Sequence, residues 1–75
     1  MHELSRLKKG SAGRVVRIHG TDSISMRLLE MGLTPGVSVK MIGAAFLGDP
    51  LEIELRGYHL SVRKSEASRV EVAGS

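Results

Sequence analysis

Leu51-Glu52-Ile53-Glu54-Leu55-Arg56-Gly57-Tyr58-His59-Leu60-Ser61-Val62-Arg63 alternates apolar and polar side chains on either side of a central Gly-Tyr pair. A period of two is the pattern of a strand with one buried face. Two such runs meeting at a glycine predict a hairpin. A two-residue turn at Gly57-Tyr58, glycine first as a type II′ turn prefers, sets the pairing. Leu55 then opposes Leu60 and Ile53 opposes Val62 on the buried side, while Glu54 meets Ser61 and Glu52 meets Arg63 outside. A slip of one residue would turn every apolar side chain to water, so this register is expected to be well specified.

Upstream, Val37, Val39 and Met41 alternate with Ser38 and Lys40, which predicts another half-buried strand. Thr34-Pro35-Gly36-Val37 has Pro and Gly at the central positions of a type II turn. Before it, Ile24, Leu28 and Met31 form one helical stripe, so a short helix is expected over about residues 23–31. Thr21, Asp22 and Ser23 are its three candidate N-caps. Gly32 stands where a left-handed residue ends a helix, and Leu33 is placed to touch Leu28. Gly13 to Gly20 predicts a strand with Val16 and Ile18 on one face and Arg17 and His19 on the other. Leu4 and Leu7 are candidate anchors before a turn at Lys8-Lys9-Gly10. Ser65–Ser68 predicts one helical turn, and Val70–Val72 a closing strand. About five short strands and one helix predict a mainly β fold, a small closed or nearly closed barrel. No repeat or linker interrupts the 75 residues, so one domain over residues 1–75 is expected.

Composition narrows the function classes. A chain of this length buries roughly 60% of its unfolded surface and has little room for a deep active site. With no Trp, one Phe and one Tyr, the core must be aliphatic. The absence of Cys removes disulfides, thiol catalysis and thiolate metal sites. No apolar run is long enough to span a bilayer, and Met1 to Lys9 lacks the apolar stretch of a signal peptide, so a soluble, cytoplasmic chain is expected. Gly10-x-x-Gly13 leads into a strand and has no Gly-Lys-Ser/Thr after it, unlike a phosphate-binding loop. Ser, His and acids are present, but none stands in the context of a catalytic motif, so no enzyme activity is expected. His19 and Asp22 are the candidate metal ligands, since ferrous iron takes imidazole and carboxylate. Asp22 also fits a helix cap, and scattered histidines do not form a ligand cluster, so no cofactor is expected.

The pattern resembles the FeoA family. The resemblance lies in Leu7-x-x-Gly10-x-x-Gly13-x-Val15-x-x-Ile18, Arg27-Leu28-Leu29-Glu30-Met31-Gly32-Leu33-Thr34-Pro35-Gly36, Gly48-Asp49-Pro50 and Leu60-x-x-Arg63-x-x-Glu66-Ala67. It implies an SH3-like barrel with a helical insertion, acting in the cytoplasm in ferrous iron uptake and iron homeostasis beside the FeoB membrane transporter with its cytosolic GTP-binding domain. The iron setting makes a direct iron-binding module, with transient ferrous contact, an alternative expectation, which no ligand clustering in the sequence supports.

Binding of a partner protein is the expected activity. Ile42 to Pro50 is unusually apolar for a loop, and Phe46 and Leu47 are candidates to project from it, or else to plug a barrel end. Arg27 lies off the helix stripe, free for a partner or paired with Glu30. The expected contact surface is therefore Arg27, Met31, Phe46, Leu47, Gly48, Asp49 and Pro50, with Gly32, Pro35, Gly36 and Gly57 holding the fold. Self-association would use the same apolar loop. A nucleic-acid alternative follows from the glycine-rich opening, which also resembles the KOW element. Residues 1–20 carry five Lys/Arg against one Glu, within a net charge of +3. The aromatic side chains that usually accompany such a surface are scarce here.

Overall fold

The hairpin forms, but its turn sits one residue earlier than the sequence suggests. In the computed structural model, which describes residues 1–74, Leu51–Leu55 (β4) and Tyr58–Val62 (β5) flank Arg56-Gly57. Ser75, the last residue of the expected domain, lies outside the described residues. Both turn residues have positive φ, 50° at Arg56 and 84° at Gly57, as a type I′ turn requires. The observed pairs are Leu55–Tyr58, Glu54–His59, Ile53–Leu60, Glu52–Ser61 and Leu51–Val62. The expected Leu55–Leu60, Ile53–Val62 and Glu52–Arg63 pairs do not form. The register has moved by two, which keeps each side chain on its face. Tertiary contact explains the choice: with Tyr58 in the strand, its hydroxyl donates to the Met31 carbonyl at 2.8 Å.

The other strands are His2–Glu3 (β1), Ala12–Ile18 (β2), Ser38–Ala44 (β3) and Val70–Gly74 (β6). All neighbours are antiparallel in one six-stranded sheet of order β1-β6-β2-β3-β4-β5. One strand more is present than expected, the two-residue β1. It leads into a 3-10 turn, Leu4–Arg6, just as β5 leads through Arg63 into the short helix Lys64–Ala67. These two elements pack together, so the curled sheet brings the neighbours of its edge strands into contact. The result is a nearly closed barrel.

Two bulges re-aim side chains. Between Val15–Val72 and Arg17–Glu71 the register of β2 against β6 shifts, leaving Val16 as the extra residue. Val15 is therefore buried and Val16 only half-buried, where Val16 had been expected to share the core face with Ile18. In β3 the shift between Met41 and Gly43 leaves Ile42 extra, after Val37, Val39 and Met41 have all entered the core as expected.

The helix of Ser23–Glu30 (α1) is capped by Asp22, whose side chain accepts from the Ser25 N–H at 3.2 Å. Its end is a Schellman motif: Leu33 N–H reaches the Leu28 carbonyl at 3.2 Å and Gly32 N–H the Leu29 carbonyl at 3.0 Å. The turn after it closes from Val37 N–H to the Thr34 carbonyl at 3.1 Å. The Lys64–Ala67 helix (α2) starts one residue before the expected turn. Leu4, Leu28, Leu33, Ile53, Leu55, Val62, Ala67, Val70 and Val72 fill the aliphatic core. Among the described residues no buried side-chain nitrogen or oxygen lacks a partner.

Candidate partner-binding surface

β3 stays paired as far as Ala44, which faces Leu51, so the connection to β4 is shorter than the apolar stretch in the sequence. Ala45 N–H donates to the Pro50 carbonyl and Gly48 N–H to the Ala45 carbonyl, both at 2.9 Å. These bonds close a 3-10 turn at Phe46–Gly48 followed by a cis Asp49–Pro50 bond. Leu47, at φ 64°, occupies the left-handed region, which a γ-branched residue rarely adopts. At the tip, Phe46 is 86% and Leu47 88% exposed. Neither plugs the barrel.

Below the tip, Asp49 ties the turn to α2. Its Oδ1 accepts from the Lys64 N–H at 3.0 Å and lies 3.9 Å from the Arg63 guanidinium. Gly48 and Pro50 are half-buried beside it. Asp49 thus acts inside the chain, satisfying one of the free N–H groups that begin a helix.

Arg27 is not the free cation anticipated, and Glu30 is not its partner. Its guanidinium pairs with Glu66 on α2, whose other carboxylate oxygen accepts from the Arg63 N–H at 3.0 Å. Met31 is half-buried and packs on the core, with its carbonyl taken by Tyr58. The structure therefore separates the expected contact residues. Phe46 and Leu47 are presented to solvent; Arg27 and Asp49 join α1, α2 and the turn in one network, Arg27–Glu66–α2–Asp49. Glu66 and Tyr58 escaped the sequence reading. Glu66 carried a usable signal, an acid three residues after Arg63, where a side chain can reach back to a helix start. Tyr58 carried none.

His19 and Asp22 are not brought together as ligands. His19 Nε2 lies 3.2 Å from Glu71, which Arg17 also approaches at 3.2 Å. Asp22 caps α1 and takes the Arg69 guanidinium at 2.7 Å. The Arg69 hydrogen bond, with that of the Ser25 N–H, holds the Asp22 carboxyl below its ordinary value of 3.8. Among the described residues no group of three or more His, Asp or Glu is placed to hold a metal ion. A cleft of about 560 Å³ between the Leu4–Arg6 turn and α2 is open, and Glu3, Ser5, Arg6, Lys64, Ser65 and Ser68 line it. Among the described residues, its lining is made of serines and charged side chains with no imidazole.

Nearly every described residue falls within one family. The family model of the FeoA domain matches residues 2–74. The chain belongs to the FeoA domain family. It is 33% identical over 69 residues to the Fe(2+) transport protein A/Fe(2+) transporter FeoB fusion protein of Porphyromonas gingivalis, an alignment that covers 92% of this chain but only 8% of that protein. The FeoA-like protein of Clostridium acetobutylicum superposes with a TM-score of 0.90 at 33% identity, over 97% of this chain and 85% of the other. Stenotrophomonas maltophilia FeoA, described as a procaryotic SH3 domain protein and solved with zinc, superposes with a TM-score of 0.81 at 32% identity, over 93% and 87% of the two chains. The SH3-like barrel of a FeoA domain is thus the fold, and ferrous iron transport is the family's setting. Among the described residues no helix is long and apolar enough to cross a membrane.

Proposed function

We propose that this FeoA domain is a non-enzymatic accessory module of ferrous iron uptake that binds the cytoplasmic region of a FeoB-type transporter and favours one of its conformations. The observation that carries the proposal is the Phe46–Leu47 tip, exposed at 86% and 88% on a turn whose base is tied to α2 through Asp49. Large apolar side chains on a closed backbone turn leave water on docking, and aromatic groups of this kind anchor interfaces. A FeoA segment joined in one chain to FeoB, as in the Porphyromonas gingivalis relative, supports the choice of partner. A module that binds one transporter conformation better than another shifts the balance by its differential affinity. Retention of the domain on full-length FeoB in detergent, and on its GTP-binding domain in each nucleotide state, tests the proposal. Binding that disappears in Phe46→Ser/Leu47→Ser, a variant that keeps its fold, is the expected result. Equal retention of the variant would refute it.

A further inference from the structure

We infer that the partner surface is an apolar hollow on a protein, rimmed by carboxylates; this rests on the partner-binding reading above. Cations collar the base of the tip from two sides. On one side Lys9 runs along β3, its Cδ and Cε 3.9 and 3.7 Å from where a Cβ on Gly43 would stand. On the other, Arg63 and Lys64 follow β5. The Arg63 guanidinium lies 3.9 Å from Asp49 at the foot of the turn, and the Lys64 backbone N–H donates to Asp49 at 3.0 Å. Lys64 also borders the cleft beside the Leu4–Arg6 turn. All three side chains belong to exposed residues. Neither Lys9 nor Lys64 forms an ion pair among the described residues. The nearby carboxylates are already engaged: Asp49 by the start of α2, and Glu52 by the Ser61 hydroxyl at 2.5 Å.

This collar decides the chemistry of the occupant. Docking Phe46 and Leu47 into a hollow takes Lys9, Arg63 and Lys64 towards a partner surface and strips part of their water. Arg63 keeps Asp49 beside it, but a stranded lysine ammonium opposes that step unless it meets an opposite charge. Carboxylates on the rim supply it, steer the approach and fix the orientation of the barrel. A protein hollow suits the tip better than a lipid surface. Two apolar side chains are enough to anchor a pocket, whereas anionic lipid is recognised by clusters of about four to eight basic residues or by a long amphipathic face.

The test is a titration of the FeoB-type transporter's purified cytoplasmic region at low and physiological salt. The parent chain is compared with Lys9→Glu/Lys64→Glu, with Arg14→Glu/Arg56→Glu as the same charge change elsewhere on the barrel, and with Phe46→Ser/Leu47→Ser. Reversal of the collar is expected to weaken binding by about tenfold or more and to flatten its salt dependence, with the control pair within about twofold of the parent. If the collar variant binds within about twofold while the tip variant does not bind, the carboxylate rim is refuted and the apolar tip stands. If the tip variant binds like the parent, the underlying reading fails and takes the rim with it. Cosedimentation of the parent with phosphatidylserine-containing vesicles, lost on collar reversal and unaccompanied by binding to the protein, would overturn the inference in favour of lipid.

Discussion

At Gly32 two demands meet on one backbone position. Its φ of 110° belongs to the helix stop, and a Cβ there would lie 2.7 Å from the Tyr58 hydroxyl and 3.2 Å from Leu55 Cδ1. Gly32→Ala is therefore expected to cost about 1–3 kcal/mol in urea denaturation. Tyr58→Phe, which gives up the bond to the Met31 carbonyl, should cost less in the Gly32→Ala background than in the parent, because it also removes the atom in the way and leaves only the backbone strain. A double variant with strictly additive losses would show that the hydroxyl is not the obstacle. Asp22 is a different kind of control point. Its folded-state pKa is depressed, first by Arg69 and then by the Ser25 N–H, so it stabilises the fold above the unfolded pKa of 3.8. That contribution is lost as pH falls below about 4 towards the depressed value. Thermal melts over this range should show a shallower acid decline for Asp22→Asn than for the parent; identical slopes would assign the decline to other carboxylates.

Elements in this barrel are joined by side chains that reach backbone. Asp49 belongs to the β3–β4 turn yet bonds the first N–H of α2, while Glu66 of α2 holds Arg27 of α1. Asp49→Ala should release the Lys64 N–H and cost about 1 kcal/mol, the net value of such a bond. Faster hydrogen exchange at Lys64, with α1 amides unchanged, is the expected signature. Unchanged exchange at Lys64 would mean that water replaces the carboxylate without loss. Elements also show how local patterns mislead about register. The alternation in Leu51–Val62 specified the buried face, and that face is as read. The turn type was not legible, because Arg56 at φ 50° contradicts local preference and is repaid by the Tyr58 contact with Met31.

For the molecule as a whole, stability and binding should separate cleanly. Leu4 is fully buried within the core where the 3-10 turn meets α2 and β6, so Leu4→Ala should cost about 2–5 kcal/mol. Phe46→Ser and Leu47→Ser should each leave the urea midpoint within about 0.5 kcal/mol of the parent, because both side chains are already in water. A large loss from either tip substitution would mean that the side chain packs in solution. Much of the barrel was legible because local chemistry and global packing agree: the helix over residues 23–30, its Gly32 stop, the Thr34–Val37 turn and the alternating faces of β3, β4 and β5.

What the sequence by itself determined was the kind of barrel and the apolar stretch from which its tip would come. Short-range rules carry that information, since alternation, capping and turn preference act over a few residues. Only the tertiary structure decided three things. The Val16 bulge put Val15 in the core, because β2 must match β6, which lies more than fifty residues away. Arg27 and Asp49 went to internal partners, because α2 is brought against both α1 and the β3–β4 turn. Phe46 and Leu47 stayed in water, because the core was already filled by aliphatic side chains and a closed turn lifts the tip away from it. Each depends on which distant residues meet, and no local preference encodes that meeting.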